Sequence, residues 1–95
     1  MLALIPGVAP AQPAVVEGQV RDAQGAPVPY ANVQIDGAAV GTAAGEDGRF
    51  RFETTRTGSV VLRASAVGYP PVERSLRLRA GDTSTVRLTL RAESI

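Results

Sequence analysis

Apolar and polar residues alternate in short runs along this chain, and no segment carries a sustained 3.6-residue apolar period. The clearest run is Arg49-Phe50-Arg51-Phe52-Glu53. A strand sends successive side chains to opposite faces, so both phenylalanines fall on one face and both arginines on the other. They are the only two Phe in the chain, and they share one core. Val15 to Arg21 alternates in the same way with Val16, Gly18 and Val20 inward. Ala31 to Asp36 sets Ala31, Val33 and Ile35 on one face, and Gly41 to Ala44 reads as a short third strand. The longest run, Val60 to Val67, has Val60, Leu62, Ala64 and Ala66 inward. Val72 to Arg79 follows with Leu76 and Leu78 inward, then Thr83 to Arg91 with Val86, Leu88 and Leu90 inward. Arg74 falls on the inward parity of the sixth run, which predicts a bulge or a late strand start there.

Turn chemistry separates these runs. Asp47-Gly48 predicts a tight hairpin between the third and fourth strands, since the turn needs positive φ and Gly, Asn or Asp reach it at least cost. Asp22-Ala23-Gln24-Gly25, Asp36-Gly37, Thr57-Gly58-Ser59 and Gly81-Asp82 are further turns. The prolines in Ala26 to Tyr30 bias each preceding residue toward extended backbone. Gly68-Tyr69-Pro70-Pro71 ends the fifth strand, because two prolines cannot donate to a central ladder. Seven short strands divided by such turns predict an all-β domain, an antiparallel sandwich of two sheets over residues 15–91.

Ninety-five residues with 44% hydrophobic content suit one small domain. A close-packed interior of that size leaves no room for a typical ligand cavity of roughly 300 Å³. Function is therefore expected at the surface and at the strand edges. The uncharged Gly41-Thr42-Ala43-Ala44 segment is the expected docking edge, because an exposed edge can accept a partner's strand. The chain has no Cys and no His, so it lacks a thiol nucleophile, a disulfide frame and the commonest general base and metal ligand. Ser65 then has no histidine to activate it. Glu46-Asp47-Gly48 lacks the spaced carboxylates of a calcium loop and reads as a plain turn. No cofactor or metal is expected, and no enzymatic activity.

All ten basic residues are Arg, and the formal net charge is +1. Arg49, Arg51, Arg77, Arg79, Arg87 and Arg91 take outward positions, but Glu17, Glu53 and Glu73 alternate with them and stacking aromatics are lacking. That pattern describes a screened sheet surface, and no nucleic-acid partner is expected. Tyr30 and Tyr69 are expected to cap sandwich ends with packed rings and wet hydroxyls. Residues 1–14 are charge-free and rich in Ala and Pro, with a small-x-small site at Ala9-Pro10-Ala11. They read as a signal-peptide remnant cleaved before Gln12 or as a disordered arm. The stretch is too short and interrupted to span a bilayer, so no direct membrane insertion is expected.

One resemblance rests on five motifs in order: Gly18-Gln-Val-Arg-Asp22-Ala-Gln-Gly25-Ala-Pro27-Val, Ala31-Asn-Val-Gln-Ile-Asp-Gly37, Gly41-Thr42, Asp47-Gly48-Arg-Phe50 and Ala66-Val-Gly68-Tyr69. Together they resemble the carboxypeptidase regulatory-like domain over about Val15 to Leu90. Val28 and Pro29-Tyr30 depart mildly from the family pattern. The resemblance implies a seven-stranded Greek-key β-sandwich, transthyretin/prealbumin-like. It also implies a non-catalytic binding or coupling domain, the N-terminal extension of a TonB-dependent outer-membrane receptor. Such a domain would stand on the periplasmic side of the outer membrane, with a protein partner in the envelope: the receptor's own plug or its energising complex. Residues 92–95 would begin a linker. The alternative is a sandwich module of another envelope protein, an adhesin-like surface chain or a regulatory domain appended to a peptidase.

Overall fold

A computed structural model describes residues 12–38 and 40–92. The leader expected over Met1 to Ala11 and the linker residues 93–95 lie outside the described residues. Seven strands follow in chain order: β1 Ala14–Asp22, β2 Asn32–Ile35, β3 Gly41–Ala43, β4 Arg49–Thr54, β5 Gly58–Ala66, β6 Tyr69–Leu78 and β7 Thr83–Leu90. They form two sheets, a three-stranded one in the order β4-β1-β7 and a four-stranded one in the order β3-β2-β5-β6.

The two-residue alternation builds the core directly. Val16 and Val20 of β1, Phe50 and Phe52 of β4, and Leu88 and Leu90 of β7 are buried, as are Val33, Ile35, Leu62, Ala64 and Leu78 from the other sheet. A strand shows its partner only one face at a time, so this one set of even or odd positions fills the space between the sheets. No buried side-chain polar atom among the described residues lacks a hydrogen-bond partner.

Pairing differs from expectation in three places. First, β1 and β7 run parallel, from Val15↔Thr83 to Asp22↔Leu90, so the sandwich is not antiparallel throughout. Second, Asp47-Gly48 does not close a hairpin. Its flanking strands belong to different sheets, β3 beside β2 and β4 beside β1, and the turn carries the chain across the sandwich. Third, Arg74 causes no bulge. The irregularity lies instead where Ala64↔Val72 gives way to Ala66↔Tyr69. Three steps on β6 match two on β5, and the surplus is absorbed at Pro70-Pro71. The fifth strand does end at Ala66, just before Gly68, as expected, but the two prolines themselves fall inside β6, where the irregularity leaves neither with a partner on β5 and no described strand lies on the other side.

Gly18 shows why the centre of the smaller sheet is so tight. A Cβ on it would overlap the Val86 carbonyl oxygen and come within 3.2 Å of Phe50 Cζ. Only a residue without a side chain lets β7 and the phenyl ring approach β1 this closely.

Candidate functional site

The backbone hydrogen bonds at the strand ends fix which backbone groups face outward. Ile35 N–H donates to the Val40 carbonyl at 2.9 Å and Ala44 N–H to the Ala31 carbonyl at 2.7 Å. Hydrogen-bonded pairs alternate in an antiparallel ladder, so Thr42 turns its peptide groups to Val33 on β2. Gly41 and Ala43 turn theirs away. The expected edge Gly41-Thr42-Ala43-Ala44 thus narrows to two residues, and Ala44 is buried and engaged with Ala31. The Ala43 carbonyl meets the Thr42 hydroxyl only at 3.4 Å, too long for a satisfying O–H···O bond. Gly41 must be glycine because a Cβ there would overlap the Val33 carbonyl oxygen.

The Asp47-Gly48 turn holds the neighbouring strand β4 in place. Gly48 N–H donates to the Gly45 carbonyl at 3.0 Å, Gly45 N–H to the Arg49 carbonyl at 2.9 Å, and Val20 N–H to the Gly48 carbonyl at 2.8 Å. Gly48 has φ +76, and a Cβ on it would overlap the Val20 carbonyl oxygen. Asp47 Oδ1 accepts the Arg49 N–H at 3.0 Å, and the Asp47 carbonyl accepts Gln19 Nε2 at 2.8 Å. Asp22 does similar work one loop away, with Oδ1 accepting the N–H groups of Gln24 and Ala26 at 2.9 Å each. These acidic residues order backbone. Among the described residues no three His, Cys, Asp or Glu side chains group as a metal site.

Beside the β3 edge lies an open depression of about 800 Å³. Thr42 and Ala43 enter it from β3, while the rest of the lining is a grid on the smaller sheet. One row across that sheet is Arg51, Glu17 and Thr85, and a second is Arg49, Gln19 and Arg87, with Phe50, Gly18 and Val86 between. The depression is not a core cavity: the fully buried Val16, Val20, Leu62 and Leu90 line none of it. Its cations are loosely held. Arg51 Nη2 stands 3.5 Å from Glu53 Oε1 and Arg49 Nε 3.8 Å from Asp47 Oδ2, both pairs well exposed, and Arg87 has no acidic partner among the described residues. Sequence parity puts these arginines outward, but it does not show that Arg87 shares a surface with Arg49 and Arg51. That depends on the parallel β1–β7 pairing.

Tyr30 departs from its expected role. It is 63% exposed, and it is the described non-glycine residue with positive φ, +62. Pro29 before it sets up a turn whose third position requires that conformation. Its N–H donates to the Gly45 carbonyl at 3.3 Å, which ties this loop to the end of β3. Tyr69 is half-buried and packs against the core. Ser65 is half-buried on β5 opposite Asn32.

The family model for the carboxypeptidase regulatory-like domain matches residues 15–91. No curated protein matches the sequence. Among solved structures the chain is similar to catechol 1,2-dioxygenase from Acinetobacter sp. ADP1, with 14% identity and a TM-score of 0.68 over 93% of this chain and 55% of that one. It is similar to the minor pilin GBS52 of Streptococcus agalactiae, with 12% identity and a TM-score of 0.66 over 90% and 47%. The dioxygenase domain of a dioxygenase–carbohydrate-binding fusion from Streptomyces sp. SirexAA-E gives 17% identity and a TM-score of 0.66 over 94% and 86%. The chain spans about half the length of the first of these. At such identities the likeness is one of fold alone.

Proposed function

The chain belongs to the carboxypeptidase regulatory-like domain family, and from that premise we propose a non-catalytic binding and coupling domain that docks a partner chain at the β3 edge. The partner is a protein segment of the cell envelope, and the domain is the N-terminal extension of a TonB-dependent outer-membrane receptor. A transthyretin-like Greek-key arrangement would accompany that role. The observation that carries the binding reading is the outward-facing backbone of Gly41 and Ala43 beside an open, arginine-rich depression. Unpaired backbone at a sheet edge is what a partner strand completes. The absence of His and Cys from the sequence supports a role without catalysis.

The test has two arms. Titrating the labelled 95-residue chain with the periplasmic segments of its receptor and energising complex should shift Thr42, Ala43 and Gly45 amides, and Ala43→Pro should abolish the response. Shifts elsewhere, or binding that survives Ala43→Pro, would refute edge docking. Sequencing the reading frame around the chain tests the context: a plug and barrel downstream support the receptor, whereas a peptidase domain would replace it.

A further inference from the structure

We propose that the depression beside β3 receives an extended acidic peptide, its backbone against Ala43 and its carboxylates on Arg49, Arg51 and Arg87. This rests on the edge-docking reading and adds the chemistry of the partner. Two observations select a peptide. The outward peptide groups of Ala43 call for backbone partners, which a small anion or a saccharide supplies less completely than a strand does. The volume, about 800 Å³, also exceeds what a single carboxylate needs and suits several extended residues.

The charges select acidic side chains. Guanidinium groups bind carboxylates through paired N–H donors, and three of them border the same depression with only long, exposed ion pairs or none to neutralise them. Glu17 adds a restriction. It stands between Arg51 and Thr85 in its row, so a carboxylate at the centre of that row is repelled. Those over Arg49, Arg51 and Arg87 are drawn in. A two-residue spacing of acids along a strand, about 7 Å, matches the spacing of Arg49 and Arg51 on β4.

The test is an amide-shift titration of the full chain with an eight-residue, end-blocked peptide alternating aspartate and threonine, beside its asparagine–threonine counterpart. The acidic peptide should shift Thr42, Ala43, Arg49, Arg51 and Arg87, bind at least about threefold tighter than the neutral one, and weaken as salt rises. Arg87→Gln should weaken it about threefold, and Glu17→Gln should tighten it, which loss of fold would not do. Equal affinity of the two peptides with shifts at Ala43 would overturn the acidic preference while leaving edge docking intact. Absence of shifts at Ala43 with either peptide would overturn both.

Discussion

The two lateral openings of the sandwich are closed by different means. On the β6/β7 side a side chain spans the gap. Arg74, on the inward parity of β6, donates from Nη1 to the Arg87 carbonyl of β7 at 3.1 Å. The parallel register turns that carbonyl outward, since Val15 N–H takes the Asp82 carbonyl at 2.9 Å and the ladder alternates from there. Arg74 thus covers part of an eight-residue edge, and Pro70-Pro71 blunts the edge of β6. On the β3/β4 side no described side chain bridges the sheets. The close approaches at Gly41 and Gly48 are to Val33 of β2 and Val20 of β1, within each sheet and not across the opening, and the outward groups of Ala43 stay uncovered. One side is protected against unwanted pairing, and the other is left available.

Substitutions can break this contrast, and the largest effect belongs to the glycine side. Gly48→Val should cost about 3 kcal/mol in chemical denaturation, combining positive-φ strain with overlap at Val20. Next comes a pair of neighbours. Thr42→Pro removes a donor that faces β2 and should cost about 2 kcal/mol, whereas Ala43→Pro removes one that faces outward and should cost under about 1 kcal/mol. A larger loss for Ala43→Pro than for Thr42→Pro would show that the edge faces the other way. Arg74→Gln should cost about 1 kcal/mol and raise self-association in sedimentation, while Arg51→Gln, whose ion pair is exposed, should change stability by under about 0.5 kcal/mol. The smallest shift is expected for Tyr30→Gly. Relief of positive-φ strain opposes the extra unfolded-state freedom of glycine, so the melting temperature should stay within about 3 °C.

The seven strands were legible because alternation is a local property, written into runs such as Arg49 to Glu53. What alternation does not encode is the neighbour. Val86 and Phe50 read as inward from their own runs, yet nothing in either says that both flank Gly18, one in parallel and one in antiparallel register. The depression inherits that blindness, since its rows form only after β4, β1 and β7 align. Asp47-Gly48 shows the same limit for turns: its chemistry specified the positive φ of Gly48, but a turn between sheets and a hairpin within one use the same dipeptide. Tyr30 marks a different limit. Aromatic character alone predicts packing, and the demand of the Pro29 turn on its backbone overrides that.

The parallel pairing of the first and last strands also determines how the domain meets mechanical force. Tension that pulls Ala14 and Leu90 apart acts along β1 and β7 in opposite directions, so it loads the register from Val15↔Thr83 to Asp22↔Leu90 in shear. The ladder bonds then share the load and must fail together, unlike an antiparallel terminal pair, which unzips one bond at a time. Forced rupture follows the unfolding rate rather than equilibrium stability. A domain tethered at both ends in this way can transmit a pull along its chain while its sheets stay closed.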